Sequence, residues 1–197
     1  MLSLDSIRPL VGTFLLALYL PVPFYMLWIH AGHRLWKKIG VASYALHWAL
    51  YFGMVAVVIR LHDTWRLGAW EWSAFVTWLG LFPLGIAAYL AWASYASIHW
   101  RTLLGFRQIS PGGERHLIRD GILGTIRHPR YVMFTLIALG NTMVTGYPLV
   151  LASLVVSVVG FAFVIHLEEK ELRAFFGEEF EAYRRDVPAF APRFRRG

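Results

Sequence analysis

Cysteine is absent from this 197-residue chain, which removes disulfides and thiolate metal sites from consideration. Charge is scarce: 16% of residues are Asp, Glu, Lys or Arg, against roughly 25% in an ordinary soluble domain. Acidic residues are the rarer sign, 12 against 19 Lys and Arg, for a net charge of +7. Internal repeats, low-complexity tracts and linker-like stretches are also lacking, which excludes a repeat array and points to one compact unit. Apolar surface is what the chain has in quantity: 57% hydrophobic residues and a mean hydropathy of +0.51. That composition predicts an all-α, polytopic membrane helix bundle, because a helix satisfies its own backbone in lipid.

About 20 apolar residues cross the hydrocarbon core as a helix. Five segments meet that description: Leu10 to Ile29, Val41 to Ile59, Trp72 to Trp92, Pro129 to about Val144, and Tyr147 to about Ile165. Pro21 and Pro23 are expected to bend the first. Gly146-Tyr147-Pro148 is a tight break that predicts an antiparallel hairpin of the last two. The whole chain, 1–197, reads as one integral membrane domain, with a three-helix part over 1–95 and a second part over 96–197 carrying the hairpin. Sixteen of the 19 Lys and Arg residues lie in 34–38, in 101–130 or after 169, while Arg8, Arg60 and Arg66 lie on the other side. The positive-inside rule then predicts an N-terminus outside and a C-terminus in the cytoplasm. Membrane orientation accounts for the positive charge, so nucleic acid is not an expected partner. The first apolar run makes a poor signal peptide, because its basic flank follows it, and a short chain of this type is expected in a prokaryotic cytoplasmic membrane. Beyond the last span, Leu172, Phe175, Phe176, Phe180 and Tyr183 recur at helical spacing. They predict an amphipathic cytoplasmic helix ended by Pro188 and Pro192.

Two polar motifs bracket the hairpin. Arg127-His128-Pro129-Arg130-Tyr131 precedes its first helix and His166-Leu167-Glu168-Glu169 ends its second. Proline suits the first turn of a helix, so His128 and Arg127 stand at the helix mouth. Backbone N–H groups and the dipole favour an anion there, and Arg127 can add a bidentate clamp. Carboxylates are unfavourable at a helix C-terminus, so Glu168 and Glu169 call for a cationic partner unless a tail helix begins at once. A hairpin brings both motifs to one face and makes a pocket of two signs, suited to a zwitterion. Each motif alone also has a plain structural explanation: interfacial arginines anchor helices to headgroups, and a Glu doublet is commonly a solvated face. The glycines of the 112–121 loop permit close backbone approach, but no strand precedes them to make a dinucleotide or phosphate fingerprint. His30, His47 and His99 match no zinc spacing, so no metal is expected, and no nucleophilic triad is evident.

Three ordered signatures then carry a resemblance over roughly Gly113 to Phe194. Leu117-Ile118-Arg119-Asp120-Gly121 precedes the Arg-His-Pro-Arg-Tyr motif. Glu168-Glu169 with Leu172 follows the next span. Phe176-Gly177-Glu178-Glu179-Phe180 and Tyr183 lead into Val187-Pro188-Ala189-Phe190-Ala191-Pro192. On these the chain resembles the isoprenylcysteine carboxyl methyltransferase family and its phospholipid N-methyltransferase relatives. The resemblance implies an integral membrane enzyme that uses S-adenosylmethionine to methylate a lipophilic acceptor, carboxyl methylation being favoured. It implies cofactor contacts from His116, Leu117, Gly121, His128, Pro129, Tyr131, Glu168 and Glu169. It also implies acceptor contacts from Arg101 and Arg127, with Arg127 and Glu168 acting in catalysis. Arg115, Leu123 and Met133 depart from residues frequent in the family and put the acceptor's identity in doubt. Sterol-reductase-like proteins share similar C-terminal signatures, so an NADPH-dependent membrane reductase is an alternative. A non-catalytic lipid-binding membrane protein is another.

Overall fold

The computed structural model describes residues 4–71, 73–97 and 117–192, and all regular structure among them is helical. In chain order the helices are α1 (Leu4–Tyr19), α2 (Pro21–Ala31), α3 (His33–Ile39), α4 (Ser43–Arg60), α5 (His62–Trp65), α6 (Ala74–Leu79), α7 (Leu81–Ser97), α8 (Pro129–Thr145), α9 (Pro148–Phe176) and α10 (Glu178–Asp186). Single 3-10 turns cover Gly40–Ala42 and Gly121–Gly124. Four stretches are long and apolar enough to cross a membrane: Ile7–Ala31, Ser43–Arg60, Ala74–Ser97 and Pro148–Phe176. Large side chains on their outer faces, such as Phe75, Phe82 and Trp92, are more than 60% exposed. Water would penalise that surface and lipid would not. The all-helical membrane bundle expected from composition is therefore the observed architecture, although of the five expected spans the fourth, now α8 (17 residues), is not among these four.

Two of the spans are broken where the sequence provides a reason. Leu20 is a turn between α1 and α2, just before Pro21 and Pro23, whose missing N–H groups interrupt the helical ladder. The third span divides at Gly80, between α6 and α7, where α8 crosses closely. A Cβ on Gly80 would stand 2.8 Å from Met143 Cβ, and one on Gly140 would stand 2.6 Å from Leu84 Cγ. Small residues at such a crossing let helix backbones approach, the main source of helix association in lipid.

α8 lies at the centre, in contact with α1, α6, α7 and α9. Its 17 residues extend about 26 Å at 1.5 Å per residue, and its buried face is unusually polar: Asn141, Thr142 and Thr145 are all enclosed. Asn141 Nδ2 donates to the Gly12 carbonyl of α1 at 3.0 Å, while Thr142 and Thr145 donate to carbonyls one turn back. The Asn141 amide N–H and both threonine hydroxyls thus find acceptors inside the bundle, as a low-dielectric surround favours, while Asn141 Oδ1 is buried with no partner among the described residues. Gly146 closes α8 in the left-handed conformation (φ 68°, ψ 23°), and Pro148 occupies the first turn of α9. The tight hairpin predicted at Gly146-Tyr147-Pro148 is present.

α9 runs 29 residues without interruption, past the predicted end near Ile165 and through Glu168 and Glu169 to Phe176. The two carboxylates therefore sit inside a helix, and the dipole penalty expected at a helix end does not arise. The amphipathic tail is likewise divided. Gly177 (φ 52°, ψ −124°) breaks the chain, leaving Leu172, Phe175 and Phe176 on α9 and Phe180 and Tyr183 on α10. The helical spacing read across residues 172–183 continues over that break. Phe180, Tyr183 and Val187 are buried against Leu117, Leu172 and Phe176, so α10 folds back on the base of the hairpin.

Candidate active site

The start of α8 and the middle of α9 meet at one end of the bundle and form a charged cluster. Glu169 is its hub. Its Oε1 accepts hydrogen bonds from Arg127 Nε (3.2 Å) and Nη2 (2.9 Å) and lies 3.0 Å from His128 Nε2. Its Oε2 is 3.6 Å from Arg184 Nε on α10. Glu168, one residue earlier, accepts from the Tyr131 hydroxyl at 2.8 Å, and its Oε2 is 3.8 Å from His128 Nδ1. Only 4% of the His128 side chain, 9% of Arg127 and 15% of Glu169 is exposed. Enclosure at this level makes each of these pairings count for more than a surface salt bridge does.

Arg127 does more than pair with Glu169. Its Nη1 donates to the carbonyls of Val187 and Arg184, closing the C-terminal end of α10. The backbone N–H groups of Arg127 and His128 donate to the carbonyls of Pro188 (2.9 Å) and Ala189 (3.0 Å). The segment after α10 thus lies along the entry to α8, with the Phe190 ring 6.2 Å from that of His128. The sequence suggested backbone donors at this helix mouth for an anionic ligand; those of Arg127 and His128 are taken by the tail carbonyls. The anion at the positive end of α8 is the side chain of Glu169 itself.

The loop before α8 is pinned from both sides. Gly121 (φ 57°) rests against Ser97 at the end of α7, where an added Cβ would be 2.2 Å from Ser97 Oγ. Ser97 Oγ also accepts from the Ile122 N–H at 3.2 Å. Tyr183 donates its hydroxyl to the Leu123 carbonyl at 2.7 Å, and burial pushes that phenol up to about 12, so it remains a donor at neutral pH. Arg119 donates to the Glu179 carbonyl and stands 5.6 Å above the Tyr183 ring.

Of the site residues named from sequence, Arg127, His128, Tyr131, Glu168 and Glu169 converge on one cluster. Pro129 starts the helix that carries Tyr131, with His128 as its N-cap and Arg127 just before it, and it is buried. Leu117 packs on α10, and Gly121 on Ser97, so both border the loop rather than the ion pairs. Arg101 and His116 lie outside the described residues, as do Arg115 and His99. Sequence reasoning missed the Arg184 contribution and a second link between α2 and α9, where buried His30 Nδ1 lies 3.1 Å from Glu171 Oε1. Nothing in the spacing of residues 30 and 171 announces that pair. The Arg127 grip on the 184–187 carbonyls was foreshadowed only by Pro188, which favours an extended residue before it.

A cavity of about 350 Å³ opens beside the cluster, bounded by α2, α4, α7 and α8. Val22, Met26 and Phe134 of its wall belong to the apolar group that buries Tyr131, so cavity and cluster share a partition. No grouping of His, Asp and Glu suited to a metal ion occurs among the described residues.

Residues 75–179, just over half of the chain, match the family model described as phospholipid methyltransferase. A protein-S-isoprenylcysteine O-methyltransferase of Schizosaccharomyces pombe is 40% identical over 79 residues, which cover 39% of this chain and 33% of that relative. A methanethiol S-methyltransferase of Crocosphaera subtropica is 42% identical over 67 residues, covering 34% of this chain and 26% of that relative. The chain therefore spans only about a third and a quarter of the length of these two curated relatives. No solved structure matches.

Proposed function

We propose that this chain, which belongs to the phospholipid methyltransferase family, binds S-adenosylmethionine at the base of the α8–α9 hairpin and methylates a lipophilic acceptor. The observation that carries the reading is the enclosed cluster of Arg127, His128, Tyr131, Glu168 and Glu169 within the family's matched segment. Its donor set suits this ligand. The amino-acid end of S-adenosylmethionine carries an ammonium and a carboxylate, and the cluster offers both signs within one turn of helix. Glu168 Oε1 has no hydrogen-bond partner among the described residues, so it can accept from an ammonium or a ribose hydroxyl.

When bound, the cofactor supplies an activated methyl group on a cationic sulfur. The protein's share is then positioning and the exclusion of water. Glu169 fixes Arg127 and His128. Tyr131 fixes Glu168. Arg127 holds the tail over the helix entry. We assign Leu117, Gly121 and their backbone, together with His116, to the nucleoside end, and Arg101 and Arg127 to the acceptor side. Arg127 and Glu168 are the residues we place closest to the reaction. Oriented by its basic residues, the bundle presents this base to the cytosol, with the N-terminus outside, in a prokaryotic cytoplasmic membrane. A carboxyl acceptor is favoured by the likeness to a protein-S-isoprenylcysteine O-methyltransferase. It also asks least of the site, since a carboxylate needs no general base.

The test is a methyl-transfer assay with cofactor radiolabelled in the methyl group, total membrane lipid as acceptor, and identification of the labelled product. Label in a base-labile ester supports carboxyl methylation, and label in a phospholipid amine moves the assignment to N-methylation. No transfer to any lipid, from protein that keeps its melting temperature, rejects the reading.

A further inference from the structure

A second cavity, of about 640 Å³, lies between α1 and α4 toward the hairpin-turn end of the bundle. Phe14, Ala17 and Leu18 of α1 and Phe52, Val55 and Ile59 of α4 line it. Phe14 and Phe52 are strongly exposed, so the groove opens sideways toward lipid. Its level follows from α8: Gly12 of α1 accepts from Asn141 and packs on Thr145, the last residue before the turn. Leu10 to Leu18 on α1 and Tyr51 to Ile59 on α4 each rise about 12 Å at 1.5 Å per residue. One leaflet's share of a hydrocarbon core of roughly 30 Å is little more. Tyr51 closes the deep end, and it also walls the smaller cavity where Arg130 turns away from the cluster. Polar groups gather at the other end. Thr13 Oγ1 and His62 Nδ1, 2.8 Å apart, leave Nε2 as the ring nitrogen open to a ligand. Arg8 donates to Thr77, and Arg66 stands 3.8 Å from Asp63. Arg60, exposed at the end of α4 beside Ile59, makes no hydrogen bond or ion pair among the described residues.

We propose that this groove holds one anionic phospholipid of the leaflet at the hairpin-turn end, an acyl chain between α1 and α4 and the headgroup on Arg60 and His62. The volume of about 640 Å³ is within the range of ligand sites. An apolar slot without an occupant forfeits the contacts its walls could make, and acyl chains are the apolar material at that depth. The length of the groove matches a chain of one leaflet, and the charge at its mouth selects the headgroup. Arg60 attracts a phosphate and repels a headgroup ammonium, so a lipid of net negative charge is preferred to a zwitterionic one. Asp63, 94% exposed, is the carboxylate nearest this mouth, and Arg66 offsets it. The site is separate from methyl transfer. Its polar end lies at the turn, the length of α8 away from Glu168 and Glu169, so the lipid is a fixed component of the bundle and not an acceptor. The proposal stands whether or not the methyltransferase reading holds.

Native mass spectrometry of the full chain in mild detergent tests this by titrating phosphatidylglycerol and phosphatidylcholine with identical acyl chains. One equivalent of phosphatidylglycerol should bind about tenfold tighter than phosphatidylcholine, as one charge-assisted contact implies. Arg60→Gln should erase that ratio, and Arg60→Lys should keep most of it. Leu18→Trp, which fills the deep end of the groove, should weaken both lipids alike, with an unchanged melting temperature showing that the bundle is intact. A phosphatidylglycerol with a diazirine in one acyl chain should label residues 10–18 or 51–59. Equal affinity for the two lipids, a ratio that survives Arg60→Gln, or labelling confined to other spans overturns the proposal. So does a dimer in the spectra that Leu18→Trp splits, because the groove would then seat a second copy of the chain.

Discussion

Glu169 is the position where a small change should cost most. Glu169→Gln keeps the shape and removes the charge that Arg127 and His128 share through three contacts of 2.9–3.2 Å. Arg127 would remain charged with 9% of its side chain exposed. Breaking a fully buried pair costs about 3–5 kcal/mol. Arg184, 45% exposed, keeps one side of this cluster wet, and the amide still accepts one hydrogen bond, so we expect about 2–3 kcal/mol. For a chain of this length that is a fall of roughly 5–10 °C in melting temperature. Arg127→Gln should cost at least as much, because it also frees the 184 and 187 carbonyls. The double variant should then be less destabilised than the two singles combined, by about 1 kcal/mol or more. Thermal unfolding in mild detergent reads all four proteins. Single shifts within about 1 °C of wild type, or strict additivity in the double, would refute a cluster held together by Glu169.

Gly146→Ala should lower stability by about 1–2 kcal/mol from left-handed backbone strain alone, with Gly146→Asn milder; the same melting assay compares them. Gly121→Ala should loosen the loop docked on α7, because its Cβ would stand 2.2 Å from Ser97 Oγ. Limited proteolysis before α8 should rise in that variant, and Ser97→Gly in the same chain should restore part of the protection. The hydrogen bond from Arg173 holds the Glu181 carboxyl below its ordinary value of 4.5. A lowered folded value means the contribution is present at neutral pH and is lost as pH falls through that value. Glu181→Gln should therefore flatten part of the acid limb of a melting-temperature profile by lowering its neutral plateau slightly, with the acid end unchanged.

Much of this architecture could be read from residue types whose physics is local. Pro129 and Pro148 mark helix starts, Gly146 marks a left-handed stop, and long apolar runs mark spans, so the hairpin followed. Placing the two motifs at one end of that hairpin was enough to gather five of the named residues into one cluster. What escaped depends on contacts distant in sequence. The helical spacing of residues 172–183 was visible, but the break at Gly177 was not, since a glycine is tolerated within a helix until tertiary contacts choose its φ. Docking of the 187–190 segment onto Arg127 and His128 is backbone pairing, to which side-chain patterns are blind. The pairing of His30 with Glu171 joins helices that no local rule brings together. Arg130 was visible as an interfacial arginine, but its turn away from the cluster required the helix to be placed against α2, α4 and α7.

The central claim is that the enclosed cluster at the hairpin base is a cofactor site, and equilibrium binding of S-adenosylmethionine tests it most directly. Titrated onto purified wild-type protein in nanodiscs, the cofactor should bind saturably, with NADPH failing to compete. Glu168→Gln, which changes a side chain with one oxygen unpartnered among the described residues, should weaken binding by about tenfold or more. It should do so without the stability loss expected of Glu169→Gln. An absence of S-adenosylmethionine binding, or an affinity that Glu168→Gln leaves intact, would contradict the account.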